Sequence, residues 1–229
     1  MTRSSIISLT GKDIRVKAEY IDHMGSDLTV VNAARVSFDK HSDEFRESDA
    51  GLMGFLARNG HFTPFTHTMV TLREEVPIFV ARQRFKHTVG FSYNEISRRY
   101  VSEDPTFYEP EVWRLAAENV KQGSSSEELF DDGRTSREVN AHNKSALARY
   151  RQMLGDGICA EQARMVLPQS MYTSYYVTGS LSAWARAYNL RIEKTAQIEI
   201  QQVARIWNSV IEPLFPVSWA ALTEGGEIV

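Results

Sequence analysis

Between Ile14 and Glu19 apolar Ile14, Val16 and Ala18 alternate with charged Arg15, Lys17 and Glu19, and that period of two predicts a strand. The short apolar run from Leu28 to Val31 predicts a second strand. From Asp43 to Asn59 the residues Leu52, Phe55 and Leu56 recur at helical spacing, and Gly60 is placed to stop that helix. His61 to His67 then predicts a loop carrying two histidines. Thr68 to Val76 predicts a strand, and Pro77, whose missing N–H is not needed in a first turn, opens a helix continued by Ile78, Phe79, Ala81, Arg82 and Phe85.

Gly90 interrupts that pattern, so Lys86 to Ser97 predicts a loop. Glu111 to Val120 predicts a helix, whereas residues 121–135, with Gly-Ser-Ser-Ser and Asp-Asp-Gly, predict a flexible surface excursion. A longer helix is expected from Ser136 and Val139 to Leu154, closed by Gly155 and Gly157, and a short one from Ala160 to Leu167 before Pro168. Met171 to Val177, rich in Tyr and Thr, predicts a strand; Ser180 caps a helix through Asn189, and Thr195 to Ile211 forms the last long helix before Pro213. Helices and strands mix irregularly and no repeat is present, which favours one α+β domain over residues 1–229.

Composition narrows the class only a little. A hydrophobic share of 42% and a charged share of 24% fit a folded globular chain, and a net charge of -3 argues against a surface built wholly for nucleic acid. The single Cys159 leaves no intrachain disulfide and no cysteine-built zinc site, and reads as a small packed side chain in a reducing cytoplasm. No stretch approaches the roughly 18 apolar residues of a membrane span, so a soluble, cytoplasmic protein without a membrane partner is expected. His61 and His67 lack a third ligand nearby, and no metal site is expected.

The chemistry concentrates between Arg82 and Tyr100, where Arg82, Arg84, Lys86, Arg98 and Arg99 face the one acid Glu95, with His87, Ser92, Ser97 and Tyr100 interleaved. Guanidinium forks, hydroxyls and a glycine-containing loop suit a phosphate monoester, whose oxygens accept from each of them. The same cluster also fits a solvated helix face, or a patch that follows a nucleic-acid backbone.

Residue order separates these readings. Lys86-His87-Thr88, eight residues, then Ser97-Arg98-Arg99-Tyr100, with Asn94-Glu95-Ile96 before Ser97, resembles the signature of the flavin-dependent thymidylate synthases: Arg-His-Arg, seven or eight residues, then Ser. Lys86 and Thr88 stand where that family has arginines. Ala33-Ala34-Arg35-Val36-Ser37-Phe38, Gly60-His61-x-Thr63-Pro64-Phe65, Pro77 to Gln83, Ala163-Arg164-x-Val166-Leu167-Pro168, Asn189-Leu190-Arg191 and Gln197-x-Glu199-Ile200-Gln201 also resemble family blocks, in family order.

The resemblance implies a mixed, largely antiparallel sheet flanked by helices, in a homotetramer whose active sites lie at subunit interfaces. It implies reductive methylation of dUMP to dTMP, with methylenetetrahydrofolate as carbon donor and FAD reduced by NADPH as hydride source. By position, Gln83, Arg84, Lys86, Glu95, Ser97, Arg98, Arg99, Tyr100, Arg164 and Arg191 would meet dUMP, with Arg164 reaching the phosphate from another subunit. Arg191 would polarise the uracil ring and Ser97 would share the catalytic role. Thr63, Lys86, His87, Thr88, Glu95, Ser180, Ser182 and Arg186 would contact FAD.

Overall fold

The chain, described by a computed structural model for residues 6–11, 14–101, 103–118 and 123–223, begins with the paired strands β1 (Ile6–Gly11) and β2 (Ile14–Met24). It passes through helices α1 (Asp27–Arg35) and α2 (Glu47–Arg58) and returns as β3 (Met69–Pro77). Helix α3 (Ile78–Arg84) follows directly, then β4 (Phe91–Glu95) and a separate hairpin of β5 (Arg114–Ala116) and β6 (Ser124–Glu128). The long α4 (Arg134–Gly155) and the single turn α5 (Ala160–Ala163) lead to β7 (Tyr172–Ser180). Helices α6 (Leu181–Ile192), α7 (Ile198–Ile211) and α8 (Pro216–Thr223) complete the described residues.

Five strands form one sheet in the order β1-β2-β3-β7-β4. Every pairing among the described residues is antiparallel, which corrects the expected mixed sheet. In β3 the alternation turns Val70, Leu72, Glu74 and Val76 inward and leaves Met69, Thr71, Arg73 and Glu75 more open. The partner strand β7 does the same with Thr173, Tyr175 and Val177. Helices α6 and α7 cover this inward face, burying Trp184, Ile200, Val203, Ile206 and Trp207. Each such side chain stabilises the fold by about 1.5–3 kcal/mol, so the sheet and these two helices are the centre of the core. Asp27 ties the last helix to the first: its carboxylate accepts from the Val217 and Ser218 N–H groups at 3.0 and 2.9 Å, capping the open start of α8.

Five segments differ from the sequence expectation. Leu28 to Val31 is helical, because an apolar run of this length does not distinguish helix from strand and the Ser26 N–H is satisfied by Thr29 Oγ1 at 3.0 Å, a helix-start contact. The expected loop from Lys86 to Ser97 contains β4, whose Phe91 and Tyr93 alternate with Ser92 and Asn94 along the edge of β7. The expected helix from Glu111 to Val120 is instead the strand β5, with residues 119–120 outside the described residues. Of the excursion at 121–135, residues 121–122 lie outside the described residues and Ser124–Glu128 pairs with β5. Helix α8 lies in a stretch for which the pattern predicts no element. The stops and starts set by special residues agree: Gly60 follows α2 with φ of 67°, and Ser180 Oγ caps α6 by accepting from the Ala183 N–H at 3.3 Å.

Gly179 shows how closely β4 approaches β7. A Cβ there would lie 2.4 Å from the Phe91 ring, and that ring is held edge-on to Trp184 at 5.0 Å. Gly179→Ala is expected to destabilise the protein by about 2 kcal/mol and lower its melting midpoint by about 4–8 °C. An unchanged midpoint in thermal unfolding would show that the edge strand is not packed in this way.

Candidate active site

Two cavities collect most of the residues singled out above. The first lies where the end of α3 meets the last turn of α6 and the start of α7, has a volume of about 540 Å³, and is lined in part by Gln83, Arg114, Ser124, Arg191 and Gln197. Arg191, on its wall, is fixed by two acceptors. Arg191 Nε donates to His87 Nε2 at 2.8 Å, and Arg191 Nη2 donates to the Gln83 carbonyl at 3.3 Å. The Gln83 side-chain amide donates to Gln197, so both helix ends are tied across the opening.

For His87 to accept from a guanidinium its Nε2 must carry no proton, and the surroundings enforce that. Burial, followed by the positive charges of Arg191, Arg84 and Arg186, pushes its pKa down from 6.5 to about 4. Burial and the charge of Arg84 also lower the pKa of Arg191, but an arginine so shifted stays protonated at neutral pH. The result is a permanent cation on a neutral imidazole, facing a polar opening. Arg191 also sits in the last turn of α6, where the helix dipole favours positive charge.

The loop beyond His87 presents a second cationic edge. Arg186 Nη2 donates to the Val89 carbonyl at 2.6 Å, while Lys86 and Thr88 are exposed to solvent. Gly90, at φ of 77°, permits the loop to lie against α6, since a Cβ there would come within 2.8 Å of the Ala183 Cβ. Lysine and a hydroxyl on one short turn, with a half-buried arginine reaching it from α6, suit the diphosphate of a dinucleotide, whose charges need several donors. Thr63 is exposed in a 3-10 turn that packs against α6.

The second cavity, of about 480 Å³, brings together Glu95, Ser97, Arg98 and Arg164 beside Met165, Tyr172 and Thr173. Thr173 Oγ1 donates to Glu95 Oε1 at 2.6 Å, which fixes the carboxylate at the end of β4. Ser97 Oγ accepts from the Arg99 N–H and from Arg99 Nε, each at 3.3 Å, and Arg98 donates to the Glu103 carbonyl. Arg99 and Tyr100 lie outside both cavities on the surface. Arg99 pairs with Glu161 at 3.4 Å and its guanidinium stands 5.1 Å from the Tyr100 ring, itself 79% exposed. The two cavities share no lining residue.

Three expectations need correction. Arg84, expected to meet dUMP, is wholly enclosed, pairs with Glu74 and lines neither cavity. Ser180 and Ser182, expected at the flavin, are both buried, and the Ser180 hydroxyl is engaged as the cap of α6. Cys159, expected to be packed, is exposed and lines neither cavity. Arg114 was missed: it enters the first cavity from β5 and pairs with the buried Glu199 at 2.6 Å. No periodicity could have found it, because its strand is only three residues long. Among the described residues no group of three or more His, Cys, Asp or Glu could hold a metal ion, and no helix is long and apolar enough to cross a membrane.

Comparison with known proteins agrees with this geometry. Residues 19–217 match the family model described as thymidylate synthase complementing protein. A flavin-dependent thymidylate synthase of Thermus thermophilus is 38% identical over 204 residues, covering 89% of this chain and 74% of that protein. That of Thermotoga neapolitana is 38% identical over 186 residues, covering 81% of each. Among solved structures, the UMP/dUMP methylase PolB from Streptomyces cacaoi bound with 5-Br dUMP superposes with a TM-score of 0.82 at 33% identity, covering 92% of this chain and 96% of that one. A chain with this antiparallel sheet and these two cationic cavities belongs to the thymidylate synthase complementing protein family.

The neutral His87 has a measurable signature. The unfolded imidazole takes up its proton near the ordinary 6.5, whereas the folded one does so only near 4. Stability fully present above 6.5 is therefore lost as pH falls toward 4. In denaturant unfolding across that window, His87→Gln is expected to flatten the slope; an equal slope in both proteins would mean that His87 is not held neutral.

Proposed function

We propose that this chain is a flavin-dependent thymidylate synthase that converts dUMP to dTMP in the cytoplasm. The observation that carries this reading is the permanent cation of Arg191, seated on an unprotonated His87 at the opening of the first cavity. Methylation at C5 of the pyrimidine needs electron density pushed onto that carbon, and a fixed guanidinium beside the ring stabilises the negative charge that develops without having to titrate. Cys159 lines neither cavity, so activation of the ring falls to this cation rather than to a thiolate adduct.

The remaining residues bind and orient. Ser97, Arg98 and Arg164 hold the nucleotide phosphate, whose two charges require several donors to offset lost hydration, and Arg99 and Tyr100 extend that site from the surface. Gln83 and Lys86 flank the pyrimidine, and Glu95, fixed by Thr173, shapes the wall between nucleotide and flavin. FAD would be held by Thr63, Lys86, His87, Thr88, Glu95 and Arg186. Held there and reduced by NADPH, the flavin would supply the hydride that completes the methyl group. The carbon comes from methylenetetrahydrofolate, the C5 proton leaves, and tetrahydrofolate and NADP are released.

In this reading the nucleotide site is shared between protomers of a homotetramer, one supplying the first cavity and its neighbour the second, whose lining residues differ. Gel filtration with visible absorbance is expected to show a yellow species of four chains that releases tritium from 5-tritiated dUMP. A colourless monomer that releases none would overturn the proposal. Arg191→Ala is expected to lower kcat by about 100-fold to 1,000-fold, the scale of one lost donor at a developing charge, while FAD stays bound. Retained kcat would remove Arg191 from the chemistry. Lys86→Arg restores a planar fork on the flavin-facing turn and is expected to tighten FAD by about fivefold in fluorescence titration, the size of one added charge-assisted bond; unchanged affinity would place Lys86 away from the cofactor.

A further inference from the structure

Arg84 is an unusual tenant of a hydrophobic core. Its side chain has no exposed surface, and its guanidinium carbon lies 4.4 Å from the centre of the Phe91 ring, 4.7 Å from both Trp184 and Trp207, and 5.2 Å from Tyr93. Nε donates to Glu74 Oε1 at 3.4 Å and Nη1 to the Tyr93 hydroxyl at 2.5 Å, while Nη2 has no hydrogen-bond partner among the described residues. Replacing such a buried pair by well-packed apolar side chains often leaves a fold as stable or more so, so packing alone does not account for a cation here.

An arginine can do one thing that an apolar side chain cannot, which is to donate to two partners at once and so fix one against the other. The Tyr93 hydroxyl that accepts from Arg84 donates to the His87 backbone carbonyl at 2.7 Å. The His87 ring in turn accepts from Arg191 Nε at 2.8 Å. A continuous series therefore runs from Glu74 in the middle of the sheet, through Arg84, Tyr93 and His87, to the guanidinium at the cavity.

We propose that Arg84 is a positioning residue: through Tyr93 it fixes the backbone and ring of His87, so that Arg191 is presented to the cavity in one orientation. This rests on the reading of Arg191 as the group that meets the pyrimidine. The charge of Arg84 works in the same direction, since it helps to keep His87 unprotonated and able to accept. Tyr175 provides the natural control. Its hydroxyl donates to the other oxygen of Glu74 at 2.6 Å, so it supports the same buried carboxylate without belonging to the series toward His87.

The test is the rate at which diethyl pyrocarbonate, which attacks unprotonated imidazole nitrogen, acylates His87 in the purified protein, followed by peptide mass spectrometry. Tyr93→Phe removes one oxygen and keeps the ring. It is expected to raise that rate about tenfold, the equivalent of one lost hydrogen bond, and to lower kcat with the flavin still bound. Arg84→Met should act alike, and so should Arg84→Lys, which keeps the charge but cannot reach Glu74 and Tyr93 together. Tyr175→Phe should lower the melting midpoint and leave His87 slow to react. His87 acylated at the parental rate in Tyr93→Phe, or equally fast in Tyr175→Phe, would overturn the proposal and leave Arg84 a purely structural group. Should the Arg84 variants fail to fold, Tyr93→Phe decides alone. Absence of tritium release by the parental protein would sink the flavoenzyme reading, whereas the acylation rates would still decide the role of Arg84.

Discussion

Glu74 occupies a position in β3 that the alternation of the strand turns into the core, between Leu72 and Val76. A lone carboxylate there would lose its hydration with nothing to replace it. It is held instead by three donors: Arg84 Nε, the Tyr175 hydroxyl at 2.6 Å and the Trp207 indole N–H at 2.9 Å. The guanidinium that answers it is sheltered by aromatic faces, which attract a cation through their quadrupoles and so offset part of its lost hydration. This buried pair joins sheet, α3, α6 and α7 at one point, and the geometry of the cavity above follows from it.

Moving outward from that point, the side chains change from neutralised to unpaired charge. His87 is kept neutral under Arg191, and Arg186 braces the loop through the Val89 carbonyl. Lys86, Arg98 and Arg164 form no ion pair with a carboxylate among the described residues, and they line or border open surface. Arg114 and Arg191 at the first opening and Arg98 and Arg164 at the second give each a local positive charge in an acidic chain, which concentrates anionic ligands there.

Local signals in the sequence marked the elements with strong punctuation or sustained period. Gly60, Pro77, Ser180 and Pro213 each mark a real boundary, because each acts through its own backbone or cap geometry. Leu28 to Val31 misled because four residues are too few to define a period. Phe91 to Glu95 was hidden by Gly90, although Phe-Ser-Tyr-Asn alternates and the strand exists through its pairing with β7, a partner distant in the chain. Motif order singled out Glu95, Ser97, Arg98 and Arg164, which the fold brings to one cavity. Motif order could not say which side chains face inward. Arg84 and Ser182 are enclosed while other residues of the same blocks are open, a distinction set by helix phase and the aromatic side chains packed around them. Arg114 reaches its cavity through a hairpin and an ion pair to Glu199, contacts formed only on folding.

The account turns on Arg191 meeting the pyrimidine while the phosphate is held by the second cavity of a neighbouring protomer. A crystal structure of the protein with FAD and dUMP tests this most directly. It is expected to place the uracil ring within hydrogen-bond distance of Arg191, with the phosphate on Ser97, Arg98 or Arg164 across a protomer boundary. A nucleotide bound elsewhere, or held wholly within one chain away from Arg191, would contradict it.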